Sequence, residues 1–171
     1  MSQQRDAARA VARQVLSLPE VQRANTLALY LANDGELDPA PLQSALGERQ
    51  KRCCLPVLHP FKKGHLLFLE HAPHGELTFN RFNIPEPPLD VTRIWPLATL
   101  DVILTPLVAF DDAGNRLGMG GGFYDRTLAS YQGHIIGLAH DCQQVDAVPV
   151  EAWDQPLEII VTPGGVKRFR R

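Results

Sequence analysis

The chain has 171 residues, 44% hydrophobic and 21% charged. That composition suits one globular domain spanning residues 1–171 and excludes disordered, collagen-like and coiled-coil chains. Lys and Arg number 17 against 19 Asp and Glu, a formal charge of −2, so binding of nucleic acid by bulk electrostatics is not expected. No apolar run reaches the ~18 residues of a membrane span, and the amino terminus lacks the apolar stretch of a signal peptide. A cytoplasmic protein that binds an anion at one local basic site fits these facts.

The first segment has helical spacing: Ala8, Val11, Ala12, Val15 and Leu16 share a face, while Arg5, Arg9 and Arg13 form a solvated one. Pro19 interrupts it. Thr26 to Leu31 is a short apolar run and predicts a buried strand, followed by a turn at Asn33-Asp34-Gly35. Asp38-Pro39 predicts an N-cap with proline at the first helical position, and Leu42, Ala45 and Leu46 give that helix a buried stripe. Cys53–Leu58 and Leu66–Leu69 predict further strands. The proline-rich stretch from Pro85 to Pro96 is expected to be an ordered connection.

Val102 to Phe110 is the most hydrophobic run and should lie at the centre of a sheet, with Pro106 ending or bending its pairing. Ile135–Ala139 and Ile159–Val161 complete the strand candidates. Leu104-Thr105-Pro106 is echoed by Val161-Thr162-Pro163. The basic tail Lys167-Arg168-Phe169-Arg170-Arg171 is expected to be solvated. Short apolar strands alternating with amphipathic helices predict an α/β fold with an open, mainly parallel sheet flanked by helices.

Cys53, Cys54 and Cys142 form no disulfide framework and are expected to be small buried thiols. His140-Asp141-Cys142 are sequence neighbours and so are not expected to converge as a catalytic set. His71-Ala72-Pro73-His74 contains a proline, which prevents two ligands on one helix face; a metal or redox protein is therefore a weak reading.

The chemistry concentrates in Gly114-Asn115-Arg116-Leu117-Gly118-Met119-Gly120-Gly121-Gly122-Phe123-Tyr124-Asp125-Arg126. A strand precedes this loop and a helix, with Phe123, Leu128 and Tyr131 as core contacts, is expected to follow. Strand, glycine loop and helix together present backbone N–H groups and a positive helix end to a phosphate. No Gly-Lys-Ser/Thr ending makes it a P-loop, and Phe123 occupies the third glycine position of a dinucleotide fingerprint. Arg116 offers a charge-assisted donor to phosphate oxygens. Asp125 either complements the helix dipole or serves as a hard oxygen ligand for Mg2+ on ATP phosphates, and spacing leaves both readings open.

The run from Gly114 to Arg126 resembles the signature of the 5-formyltetrahydrofolate cyclo-ligase family, also called methenyltetrahydrofolate synthetases. The likeness extends to Tyr30-Leu31, Gly35-Glu36-Leu37, Leu55-Pro56, Ile84-Pro85-Glu86-Pro87, residues 101–110, Pro149-Val150 and Trp153-Asp154. It implies a fold similar to the sugar-phosphate isomerase and CoA-transferase folds. It also implies cyclisation of 5-formyltetrahydrofolate to 5,10-methenyltetrahydrofolate with Mg2+ and ATP, through a phosphorylated formyl group.

By position, the resemblance assigns ATP contacts to Leu31, Arg116, Leu117, Gly118, Met119, Gly120, Gly121, Gly122, Phe123 and Tyr124. Glu36 would contact the substrate, together with Met119, Gly120, Gly121, Gly122 and Phe123. Asp125 and Asp154 would bind the metal, and Arg116 and Asp125 would act in catalysis. Two departures stand out: Met119 and Gly121 replace basic residues of some members, and the family's basic amino-terminal leader is expected to be absent. Arg5 and Arg9 are not expected to substitute for it. A monomer or weak homo-oligomer is expected, with no membrane or nucleic-acid partner. A non-catalytic folate or nucleotide binder is the alternative.

Overall fold

A computed structural model describes residues 2–32, 36–71, 75–117, 123–149 and 157–169. In chain order the strands are β1 (Thr26–Ala28), β2 (Arg52–Leu58), β3 (Leu66–Glu70), β4 (Thr78–Phe79), β5 (Pro85–Glu86), β6 (Ile94–Trp95), β7 (Val102–Pro106), β8 (Ala109–Phe110), β9 (Arg116–Leu117), β10 (His134–Leu138), β11 (Ile159–Thr162) and β12 (Gly165–Arg168). The helices are α1 (Ser2–Leu16), α2 (Pro19–Arg23), α3 (Ala40–Glu48) and α4 (Phe123–Leu128). Among the described residues, eight strands form one sheet in the order β12-β11-β10-β7-β1-β2-β3-β6. The five from β11 to β2 run parallel, and antiparallel strands close both margins.

This is the expected mainly parallel α/β sheet, and the apolar runs explain it. A strand buried on both faces needs side chains on both faces to be apolar. Val102 and Leu104 of β7 join Val11, Val15, Leu42 and Leu46 from α1 and α3 on one side. Ile103 joins Leu107, Phe110, Leu128 and Tyr131 on the other. Arg5, Arg9 and Arg13 stay exposed on α1. Pro106 ends β7, as its missing N–H requires. Thr105 and Thr162 of the repeated Thr-Pro pairs are both fully buried near the carboxyl ends of their strands.

Several expectations need correction. β1 stops at Ala28, short of Leu31: the Leu29 N–H still reaches the Cys54 carbonyl at 2.8 Å, and beyond it the buried Tyr30 hydroxyl bonds locally, donating to the Leu37 carbonyl at 2.7 Å. Asp38 accepts from the Ala40 N–H at 2.9 Å as a cap does, but α3 starts one residue later than expected. The Asn33-Asp34-Gly35 turn lies outside the described residues. The basic tail is not simply solvated. Pro163-Gly164 makes a turn, Gly165–Arg168 pairs with β11, and Phe169 packs against the core. Cys142 is exposed in a short 3-10 turn, unlike the buried Cys53 and Cys54.

Arg168 explains why the last strand stays docked. Its guanidinium donates two hydrogen bonds to Glu20, at 2.7 and 3.1 Å, tying the sheet margin to α2. The Arg168 bonds hold the Glu20 carboxyl down from 4.5 to about 2, against the opposing effect of burial. A carboxyl with a depressed folded-state value stabilises fully above its unfolded value and loses that contribution as pH falls through the folded one. The melting-temperature gap between wild type and Glu20→Gln should therefore be constant above pH 4.5 and close between 4.5 and about 2. A gap independent of pH in thermal melts would contradict this.

Burial raises the thiols of Cys53 and Cys54 to about 11 and 12, with Glu70 adding to the effect. The thiolate is the reactive form. A thiol reagent should modify Cys142 rapidly in the native protein and Cys53 and Cys54 only on unfolding. Fast native labelling of Cys53 or Cys54, read by mass spectrometry, would overturn their placement.

Candidate active site

The sheet order itself points to one place. From β1 the chain passes through α3 to β2, its neighbour on one side. β7 lies on the other side of β1 and leads through α4 to β10. Leu42 and Leu46 of α3 pack on one face of the sheet and Leu128 of α4 on the other. β1 and β7 therefore flank a topological switch point, whose carboxyl-terminal crevice is where open α/β sheets bind ligands. Leu31 and Glu36 follow β1, while Arg116, Leu117 and the start of α4 follow β7.

Arg116 is buried, 7% exposed. Its Nη2 donates to Asp125 Oδ1 at 2.9 Å, so the residues bracketing the glycine loop meet each other. The Arg116 Nε, also buried, has no hydrogen-bond partner among the described residues. Burying an idle charge-assisted donor is costly unless something else accepts from it. Phe123, Tyr124 and Asp125 form the first turn of α4 and are half-buried. Leu117 is exposed, and Leu31 packs partly against the core. Gly118, Met119, Gly120, Gly121, Gly122 and Asp154 lie outside the described residues.

Glu36 is buried at 7% exposure and reaches this cluster electrostatically. Burial, and then the Glu36 charge, push both the Tyr30 and Tyr124 hydroxyls well above the usual range. Arg116 opposes that rise at Tyr124. The structure thus groups Glu36, Tyr124, Arg116 and Asp125 into one electrostatic neighbourhood. Both tyrosines stay protonated near neutral pH and act as neutral hydrogen-bond groups.

Three positioning residues escaped the sequence analysis. Tyr30 braces the chain beyond Glu36 through its bond to the Leu37 carbonyl. Gln4 of α1 donates to the Glu36 carbonyl at 3.0 Å, which brings the first turn of α1 to the site; the neighbouring Arg5 is exposed. Asp111 is 5% exposed and accepts from the backbone N–H groups of Ala113, Asn115 and Val148. Burial pushes its carboxyl up, but these bonds and the Asn115 side chain win and hold it low. The Asp-x-x-Gly turn was the available signal for Asp111. In that turn Gly114 has φ +83°, and an added Cβ would lie 2.6 Å from the Leu157 carbonyl oxygen, so the position demands glycine.

No group of three or more metal-ligating side chains occurs among the described residues. Mg2+ carried on ATP phosphates needs only one or two carboxylates, and Asp125, a hard oxygen donor in the candidate phosphate region, fits that requirement. The metal reading of His71 gains no support: the ring lies buried beside Gln43. His74 lies outside the described residues. An open groove of about 770 Å3 lies at the opposite, amino-terminal end of the strands, lined by Glu20, Asp101, Tyr131 and His134. Its Glu20 is already occupied by Arg168, and Asp101 Oδ2 by the N–H groups of Asn25 and Thr26. It contains none of the residues grouped above. No helix among the described residues is long and apolar enough to cross a membrane.

Comparisons with known proteins agree on one family. The sequence model described as the 5-formyltetrahydrofolate cyclo-ligase family matches residues 1–163. The chain is 52% identical over 167 residues to the Escherichia coli K12 protein named 5-formyltetrahydrofolate cyclo-ligase, covering 96% of this chain and 92% of that one. It is 49% identical over 158 residues to the Haemophilus influenzae protein of the same name, covering 91% and 84%. Its fold is similar to the solved Aquifex aeolicus 5,10-methenyltetrahydrofolate synthetase, with TM-score 0.82, 32% identity and coverage of 99% and 84%. The chain belongs to the 5-formyltetrahydrofolate cyclo-ligase family and is a ligase.

Proposed function

We propose that residues 1–171 act as one unit that cyclises 5-formyltetrahydrofolate to 5,10-methenyltetrahydrofolate at the expense of ATP, with Mg2+, in the cytoplasm, as a monomer or weak homo-oligomer. Family membership supports the cyclo-ligase reaction itself. The observation that carries the ATP reading is the buried Arg116, which holds Asp125 with one nitrogen and has another without a partner among the described residues.

The reaction needs a formyl oxygen turned into a leaving group. Attack of that oxygen on the γ-phosphorus forms an O–P bond and breaks the bond to the bridging oxygen, releasing ADP. The N10 lone pair then attacks the formyl carbon. The carbon–oxygen bond breaks, phosphate departs with its electron pair, and N10 loses its proton. Charge spreads over the transferring phosphoryl oxygens, so the protein contributes chiefly positioning and electrostatic stabilisation.

In this reading the backbone between residues 118 and 122 and the Arg116 guanidinium hold the phosphates. Leu31, Leu117 and Tyr124 border the nucleotide. Glu36 accepts hydrogen bonds from pterin N–H groups, since an ionised carboxylate is purely an acceptor, and residues 119–123 line the folate. Asp125 and Asp154 would hold Mg2+, which supplies positive charge to the phosphates. Arg116 and Asp125 exchange their mutual contact for ligand contacts when nucleotide enters.

Mixing the protein with 5-formyltetrahydrofolate, ATP and Mg2+ should produce the methenyl chromophore with one ADP per ring closed. Folate binding by calorimetry without ATP hydrolysis would favour the non-catalytic binder instead. Asp125→Asn should lower kcat/KM by about 100-fold or more, the scale of lost charge stabilisation at a reacting phosphate. The isostere avoids leaving Arg116 facing an empty space. Near-wild-type turnover of Asp125→Asn would remove its role.

Arg116→Ala should raise the KM for ATP more than that for folate. It should also lower the melting temperature, because the half-buried Asp125 carboxylate loses this partner; breaking a fully buried pair costs about 3–5 kcal/mol, and the partial exposure of Asp125 reduces that. Equal effects on both KM values would contradict the assignment of Arg116 to the phosphates.

A further inference from the structure

Past β10 the chain runs beside the hairpin that delivers Arg116. Pro106 ends β7, and Leu107 and Val108 connect it to β8. Leu107 is 1% exposed, so its carbonyl is taken out of water and requires a donor. Gln143 supplies it. Its Nε2 donates to the Leu107 carbonyl at 2.5 Å and to the Val108 carbonyl at 3.1 Å, while its Oε1 accepts from the His140 N–H at 2.7 Å. The His140 side chain accepts in turn from the Gln143 N–H, so the 3-10 turn Asp141–Gln143 fixes the amide at its root. A carboxylate in this place accepts but does not donate, and methionine does neither.

The grip passes on to Arg116 through the hairpin. The Val108 N–H donates to the Leu117 carbonyl at 2.7 Å, and Phe110 of β8 pairs with Arg116 of β9. The residues after Gln143 hold the rest. The Gln144 amide donates to the Asp112 carboxylate, the Val145 N–H to the Phe110 carbonyl at 2.8 Å, and the Val148 N–H to Asp111 Oδ2 at 3.0 Å. The stretch from Gln143 to Val148 therefore lies along residues 107–112. It fixes the hairpin at its root, along β8 and at the turn that precedes Arg116.

Of these ties, the one at the root sets the direction in which the hairpin leaves β7. We propose that Gln143 is a positioning residue for the nucleotide: by holding the Leu107 and Val108 carbonyls it sets where β9 delivers the Arg116 guanidinium, and so how tightly the triphosphate is gripped. This rests on the reading of Arg116 as a phosphate-binding residue. Gln143 acts through Arg116, so its loss costs nucleotide affinity in particular and costs little once Arg116 is gone. A glutamine that served stability alone would lower the melting temperature without separating nucleotide from folate.

Calorimetry with Mg2+ and a non-hydrolysable ATP analogue reads the nucleotide side directly. Gln143→Met and Gln143→Glu should each weaken analogue binding roughly ten-fold, the scale of one lost hydrogen bond to a charged group, and leave 5-formyltetrahydrofolate binding unchanged. Gln143→Glu keeps the acceptor for the His140 N–H and removes only the donor, so it carries the test if Gln143→Met does not melt cooperatively. In an Arg116→Ala background Gln143→Met should add less than about two-fold, because residues that act through one another are non-additive. Val21→Ala, a change in a fully buried side chain of α2, should lower the melting temperature and leave analogue binding alone. Unchanged analogue binding in both Gln143 variants, an equal loss of folate binding, the same fold-loss with and without Arg116, or no analogue binding by wild type would overturn the proposal. Wild type that binds the analogue yet forms no methenyl product from 5-formyltetrahydrofolate and ATP would fail the cyclo-ligase reading alone, with the role of Gln143 still decided by the binding results.

Discussion

A guanidinium taken out of water must find an anion or acceptors for its five donors. Arg116 finds Asp125, and its Nε has no partner among the described residues. That arrangement constrains everything near it. The residues are nine apart in sequence, so their meeting fixes both ends of the intervening glycine loop to β9 and to the first turn of α4. The fold keeps that meeting place at the switch between β1 and β7, where chains leaving two neighbouring strands diverge to opposite faces of the sheet. In the proposed reading, this pair accepts an anion by exchanging one partner for another. It avoids paying for a bare buried charge before ligand arrives.

The supporting structure serves the same end. Asp111 gathers three backbone N–H groups around the turn that precedes Arg116. Gly114 lets that turn lie against the Leu157 carbonyl, where a side chain has no room. Tyr30 and Gln4 hold the carbonyls of Leu37 and Glu36, so the Glu36 carboxylate is carried on a braced segment instead of a free loop. Charge at the site is thereby fixed in advance of binding, which is what electrostatic catalysis requires.

Much of this was legible in the sequence because the signals were local. The apolar run at Val102–Phe110 announced a central strand, and the spacing of Val11, Ala12 and Val15 announced the buried face of α1. The glycine-rich segment with its flanking motifs pointed to the family that the comparisons then established. What was not legible depends on partners distant in sequence. Arg168 reads as tail charge until Glu20, 148 positions away, is placed beside it. Glu36 reads as a surface acid until the fold buries it and brings Tyr30 and Tyr124 within reach of its charge. The mutual pairing of Arg116 and Asp125 was also hidden, since each residue alone suggests a ligand and spacing cannot show that they satisfy one another.

The central claim is that nucleotide opens this pair. A crystal structure of the protein with Mg2+ and a non-hydrolysable ATP analogue tests it most directly. The account predicts an Arg116 nitrogen about 3 Å from a phosphate oxygen, with the Asp125 carboxylate turned from the guanidinium toward the metal. Triphosphate bound elsewhere, with the 2.9 Å contact between Arg116 and Asp125 intact, would contradict it.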